Sequence, residues 1–263
     1  MSPDAVTTDE TDAPALSVNG LSFSYPDKPE VLRHIDITVM SGERVGVIGP
    51  NGSGKTTLFL MICGALAPSA GEIKVMGRPV VEGRFSPDIG LVFQNPDDQL
   101  FCPSVRDDVA FGPENMKLTA EEVTARVDEA LAVTGVAVMA DRPPHHLSGG
   151  EKRMAAIAAV LAMRPALMLY DEPSASLDIR SRRQLINLLK ASAQTILVSS
   201  HDLEFILEVC DRVIIIDNQG IAADGHPREI MGDEALMRAH GQEKPHSLMP
   251  HRGRPHDGVA SGL

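Results

Sequence analysis

An α/β fold built on a mainly parallel sheet is predicted for this 263-residue chain by three observations. Strand-like and helix-like segments alternate along the body of the sequence, as they do where helical crossovers join parallel strands. Apolar residues make up 43% of the chain but aromatics only 3%, with no Trp, so Val, Ile, Leu, Ala and Met must fill the core. Buried strands of α/β proteins have that composition. A short apolar run, Arg44–Ile48, also ends in a glycine-rich loop that opens a helix-like segment.

Taken in order, residues 1–14 are rich in Thr, Asp and Ala and read as a disordered acidic tail. They lack the positive segment followed by an apolar one that marks a secretory signal. Residues 15–240 form the folded body. Leu16–Phe23 and Ile35–Val39 alternate apolar and polar residues as half-exposed strands do, and Lys55–Leu66 reads as a helix. The texture changes at roughly residues 96–165, a mainly helical insertion. There Thr119 and Glu122 form a capping box, and Val123, Val127 and Leu131 follow on one helical face. Helix Glu151–Met163 precedes an apolar strand, Ala166–Tyr170, and helix Arg180–Leu189 precedes another, Thr195–Ser199. Residues 241–263 are rich in Gly, Pro, His, Arg and Ser and read as a second disordered tail. His240, His246, His251 and His256 are irregularly spaced there; a solvated tail is the plain reading, metal capture the alternative.

A net charge of −12 and a pI near 5.1 oppose a non-specific nucleic-acid binder, so no nucleic-acid partner is expected. Cys63, Cys102 and Cys210 are odd in number and far apart, with no CxxC, which points to a reducing compartment rather than a disulfide or zinc framework. No apolar run approaches the roughly 18–20 residues that span a bilayer. A membrane role is therefore expected to be peripheral and to go through partners.

Three motifs carry chemistry. Gly49-Pro50-Asn51-Gly52-Ser53-Gly54-Lys55-Thr56 matches GxxxxGK followed by Ser or Thr, between a predicted strand and a predicted helix. Its backbone N–H groups and helix N-terminus would face phosphates, with Lys55 adding a charge and Thr56 a hydroxyl ligand for Mg²⁺; Thr57 follows in the same turn. The strand Leu167–Tyr170 ends in Asp171 and Glu172, which place one acid to hold Mg²⁺ and the next to polarise an attacking water. Ser148, Gly149 and Gly150 precede Glu151; they make a capping box and also a second anion-binding surface. Two phosphate-binding surfaces in one chain, for one nucleotide, imply a head-to-tail dimer with each ATP between one subunit's loop and the other's Ser-Gly-Gly turn.

In this order and spacing the three motifs resemble the nucleotide-binding subunit of ABC transporters over roughly residues 16–230. The resemblance implies a P-loop core with a mainly parallel sheet, an N-terminal antiparallel β subdomain and a helical subdomain. It implies ATP and Mg²⁺ as cofactors, and a role for further residues. Tyr25 would stack on adenine, Gln94 would contact Mg²⁺ and the lytic water, Asp178 would communicate between the two sites of the dimer, and His201 would contact the γ-phosphate. The catalytic set is then Glu172, His201 and Gln94, with Thr56, Gln94 and Asp171 at the metal. No position departs from the catalytic pattern, which opposes a regulatory module without turnover.

Gly90–Phe101, Asp107–Pro113 and Leu147–Val160 are similar to the ATPases of energy-coupling-factor importers, closest to those for cobalt and nickel, with vitamin importers such as those for biotin as the alternative. In that family the region after the glutamine receives a coupling helix. The expected partners are a second ABC ATPase subunit, either an identical chain or a paralogue, and integral membrane subunits at the cytoplasmic face. A soluble ABC ATPase of DNA repair or translation is a further alternative, opposed by the single cassette, the acidic balance and the absence of a long heptad run.

Overall fold

The computed structural model describes residues 13–249. The readings for residues 1–12, and for His251 and His256, lie outside them. In chain order the strands are β1 (Pro14–Tyr25), β2 (Lys28–Met40), β3 (Arg44–Ile48), β4 (Ala70–Val75), β5 (Arg78–Pro79), β6 (Ile89–Val92), β7 (Leu167–Asp171), β8 (Thr195–Ser199), β9 (Arg212–Asp217) and β10 (Gly220–Gly225). The helices are α1 (Lys55–Ile62), α2 (Val105–Asn115), α3 (Ala120–Thr134), α4 (Gly149–Leu161), α5 (Ile179–Ala191), α6 (Leu203–Val209), α7 (Pro227–Ile230) and α8 (Glu234–Ala239).

The strands form two sheets, one antiparallel with order β2-β1-β4-β5 and one mainly parallel with order β10-β9-β3-β8-β7-β6. In the second sheet only the β9–β10 edge pairs antiparallel. Alternate residues of its strands enter two different apolar clusters. Leu167 and Leu169 of β7, Leu197 of β8, and Ile214 and Ile216 of β9 face the antiparallel sheet and α1, alongside Leu16, Val18, Leu58 and Phe59. Met168, Tyr170, Ile196, Val198, Val213 and Ile215 face the other way, onto α4, α5 and α6. With both faces covered, the central strands become continuous apolar runs, which is how they read in the sequence.

Three helices lie between β6 and β7. The helix α3 starts with the predicted capping box: Thr119 Oγ1 accepts from the Glu122 N–H, and the Glu122 carboxylate accepts from the Thr119 N–H. Val127 and Leu131 of its apolar face, together with Ala130, pack in one cluster with Val105 and Val109 of α2 and Met154 and Ala158 of α4. Val123 is only half-buried against that cluster.

Two expectations are corrected. The helix α1 stops at Ile62 rather than Leu66, because Gly64 takes φ +77 and the N–H groups of Ala65 and Leu66 both turn back to the Leu60 carbonyl. The tail expected to be disordered from residue 241 keeps a defined path to residue 249. Pro245 is buried, Ser247 donates to the Glu204 carboxylate from both N–H and Oγ, and Leu248 packs on the core. Composition marks Gly241–Met249 as loop-like, but Pro245 and Leu248 find an apolar surface to cover.

Leu169 has no exposed surface at the centre of β7. Leu169→Ala is expected to cost about 2–5 kcal/mol of stability, read as a lowered urea midpoint, because close-packed neighbours on both sheets cannot collapse into the space.

Candidate functional site

The loop between β3 and α1 is bent around positive-φ glycines. Gly49 has φ +146, and a Cβ there would lie 2.0 Å from the Ile216 carbonyl oxygen, so only glycine lets the loop start this close to β9. Lys55 is buried at the first turn of α1, and its Nζ donates to the Gly49 and Pro50 carbonyls at 2.9 and 3.0 Å. Burial draws the Lys55 ammonium pKa below the usual lysine value, and the negative charges of Glu172 and Asp171 oppose that shift.

Across the cleft, the carboxyl end of β7 presents the two acids. Asp171 Oδ2 accepts from Thr56 Oγ1 at 2.8 Å and Asp171 Oδ1 from Ser199 Oγ at 2.5 Å. Ser199 Oγ in turn accepts from the Glu172 N–H at 3.1 Å. Glu172 is held with φ +47, a left-handed backbone rare for a non-glycine residue and common where function constrains the chain. Its Oε2 accepts from the His201 N–H at 3.1 Å, while Oε1 makes no hydrogen bond and lies 3.3 Å from His201 Nε2. Ser53 Oγ in the loop is also buried without a partner.

Tyr25, at the end of β1, stands edge-on to Phe23 and shares a hydrogen bond of 3.3 Å between its hydroxyl and Thr57 Oγ1. Tyr25, Asn51, Gly52, Gly54, Lys55, Thr56, Thr57, Gln94, Asp171, Glu172 and His201 line one cleft of about 370 Å³. Most of the residues singled out in the sequence therefore meet at one place. Thr56 Oγ1 and Asp171 Oδ2 offer a hydroxyl and a carboxylate oxygen to the same point, a donor set that fits Mg²⁺.

Gly49, Pro50 and Ser53 belong to the loop but do not line the cleft, and four further predicted residues lie apart from it. Ser148 caps α4, with its N–H donating to Glu151 Oε2 at 2.7 Å, and that backbone bond holds the Glu151 carboxyl below the usual range. Ser148 and Gly149 are exposed, Gly150 is half-buried, and none of the three lines the cleft. Asp178 caps α5 by accepting from the Ser181 N–H at 2.8 Å, which lowers its pKa, and it too is exposed and apart. It is followed by Ile179, which is 91% exposed.

Two residues that organise the site escaped the sequence reading. Ser199 ties Asp171 to the Glu172 backbone, but as the last residue of an apolar strand it carries no spacing signal. Arg153, 4% exposed on α4, donates to the carbonyls of Phe93 and Gln94, so the helix behind the Ser-Gly-Gly turn holds the glutamine's backbone. Its one signal is a cation on an otherwise apolar helix face. Ser199→Ala would leave Asp171 Oδ1 without that donor, and the expected loss is about 1–3 kcal/mol of stability by thermal or urea unfolding, with a larger proportional fall in ATPase rate.

Comparison with known proteins follows the same lines. The family model for the ABC transporter matches residues 32–175. A protein of Synechocystis named as an ABC transporter ATP-binding protein is 57% identical over 235 residues, covering 89% of this chain and 83% of its own length. The energy-coupling factor transporter ATP-binding protein EcfA of Methanothermobacter thermautotrophicus is 46% identical over 231 residues, covering 85% and 74%. Among solved structures, cbiO1 from Clostridium perfringens, part of the ABC transporter complex cbiONQ, superimposes with a TM-score of 0.75 at 36% identity over 86% of this chain and 94% of its own. A bacterial Atm1-family ABC exporter with ATP bound gives 0.74 at 25% identity over 86% and 41%. The chain belongs to the ABC transporter family, among its ATPases.

Proposed function

We propose that this chain is the ATP-hydrolysing subunit of a membrane importer of the energy-coupling-factor type, paired with a second cassette that is an identical chain or a paralogue. The observation that carries the reading is the division of the predicted residues: one chain gathers its phosphate loop, both acids and His201 in a single cleft, and leaves its Ser-Gly-Gly turn outside. A second cassette facing the first would bring Ser148, Gly149 and Gly150 to the open side of the nucleotide, with Asp178 between the two sites.

In the cleft, Lys55 exchanges the Gly49 and Pro50 carbonyls for the β- and γ-phosphates of ATP, and the loop N–H groups from Gly49 to Thr57 cradle them. Ser53 Oγ has a donor free for the same anion. Thr56, Asp171 and Gln94 would hold Mg²⁺, which when bound neutralises phosphate charge. Glu172, with Oε1 free of hydrogen bonds, accepts the proton of the attacking water, and His201 orients Glu172 and reaches toward the γ-phosphate. Tyr25 offers its ring to adenine.

The membrane partner is supported by a groove of about 540 Å³ beside Gln94, lined by Phe85, Phe93, Phe101 and Phe111. These four phenylalanines are 59%, 39%, 66% and 49% exposed in a chain that has only seven. An apolar surface of this kind marks an interaction site, and Phe101 and Phe111, which follow Gln94, suit a coupling helix. No described helix is long and apolar enough to cross a membrane; peripheral placement at the cytoplasmic face is part of the proposal. The relatives named for energy-coupling factor and cbiONQ complexes support the importer class, and the similarity of Leu147–Val160 to cobalt and nickel members favours those ions over a vitamin such as biotin.

Glu172→Gln is expected to bind ATP normally and lose about 10²–10⁴-fold in turnover, measured by phosphate release. Lys55→Ala should instead lose ATP affinity by about tenfold or more. Turnover near the native rate in the first variant would remove Glu172 from the role of base. For the transport reading, tagged Glu172→Gln complex purified from native membranes should retain integral membrane proteins and, on elemental analysis, cobalt or nickel. Recovery of soluble partners alone would overturn it.

A further inference from the structure

The segment that composition marks as a tail runs from beside the phosphate loop to the first turn of α6. At its start, His240 Nδ1 lies 2.9 Å from Asp217 Oδ2, in a pair whose side chains are only 20% and 16% exposed. Asp217 ends β9, directly after Ile216, whose carbonyl oxygen backs onto Gly49. Its carboxylate also accepts from the N–H and the side-chain amide of Asn218, at 2.8 and 3.1 Å. The next residue, Gly241, has φ +65 and lies beside the phosphate loop: a Cβ added there would come to 3.9 Å from Pro50 Cβ. Pro50 in turn gives its carbonyl to Lys55 Nζ.

At the far end, the N–H and Oγ of Ser247 donate to Glu204 at 3.0 and 2.7 Å, and these bonds hold the Glu204 carboxyl below the usual range. Glu204 sits in the first turn of α6, which begins just after His201. Between the two ends, Lys244 Nζ donates to the Gly232 carbonyl at 2.7 Å and Pro245 is buried. Asp217, bonded to His240, thus lies one residue from the Ile216–Gly49 contact, Gly241 lies beside Pro50, whose carbonyl accepts from Lys55, and the same segment ends on the helix that follows His201.

We propose that His240 and Asp217 are positioning residues of the nucleotide site: their bond seats residues 240–248 behind the phosphate loop and fixes the Gly49–Pro50 turn against which Lys55 is set. Gly49 is backed by the Ile216 carbonyl of β9, Gly241 lies beside Pro50, and the His240–Asp217 bond ties the two segments together. Neither residue touches the nucleotide. Their effect is on the ground-state geometry of the loop, so it is expressed in nucleotide affinity rather than in the hydrolytic step. The proposal rests on the cleft being an ATP site.

The test is a set of His240 variants in the full chain, with ATPase kinetics and equilibrium titration of a fluorescent ATP analogue. His240→Ala is expected to raise KM for ATP and the analogue's Kd together by about 3–10-fold, the range of one hydrogen bond, with kcat within about twofold of native. His240→Asn keeps an N–H donor near the Nδ1 position and should return both constants to within about twofold of native. A native KM in His240→Ala, an Asn variant as weak as the Ala variant, or a loss confined to kcat would each overturn the assignment. A native chain that failed to bind the analogue would sink the ATP-site reading, and this proposal with it; native binding with an unaltered His240→Ala sinks the positioning role alone.

Discussion

The cleft depends on the register of two strands. Asp171, the last residue of β7, pairs with Ser199, the last residue of β8, in a parallel ladder whose side chains alternate strictly between two buried faces. That pairing is what lets Ser199 Oγ reach Asp171 and the Glu172 N–H at once. A slip of one residue would turn Leu169 and Leu197 onto the wrong cluster and carry Ser199 away from the acids. Burial of apolar side chains thus fixes the relative placement of Asp171, Glu172 and Ser199, which no local interaction at the cleft could hold by itself.

Around this register the charges are arranged to be incomplete. Lys55 is buried and spends its donors on two carbonyls, and Glu172 is buried with one oxygen unpaired. A lone buried carboxylate oxygen or ammonium is costly where nothing answers it. In the proposed ATP-bound state phosphate and water would answer both, so the groups that weaken the cleft by themselves would strengthen it with nucleotide bound. The left-handed backbone at Glu172 belongs to the same pattern of local strain held in place by a rigid sheet.

Much of this was legible in the sequence, and the reasons differ by element. Strands β3, β7 and β8 announced themselves because both faces are covered and leave unbroken apolar runs. Helix α3 was legible through its own cap, Thr119 and Glu122. The loop Gly49–Thr56 and the acids after Tyr170 were legible because each is a short contiguous motif at the end of an apolar strand. Ser199 and Arg153 were not, since each acts through a contact with a residue 28 or 60 positions away and leaves no local pattern. Residues 241–249 misled for a related reason: their composition is that of a loop, and what orders them is supplied by Glu204 and the core, not by their neighbours in sequence.

The strand order also governs how the chain can be built. Strand β3 is complete by residue 48, yet its two neighbours are β8 and β9, which begin at residues 195 and 212. At about 5–20 residues per second, roughly 7–30 s of synthesis separate β3 from its first partner. Through that interval Val45, Val47 and Ile48 are without the strands that later shield them on either side. The nascent chain must keep this apolar strand from pairing elsewhere until the last third has left the ribosome, which makes holding the unfinished sheet a task for cellular chaperones and the sheet's closure a late, cooperative event.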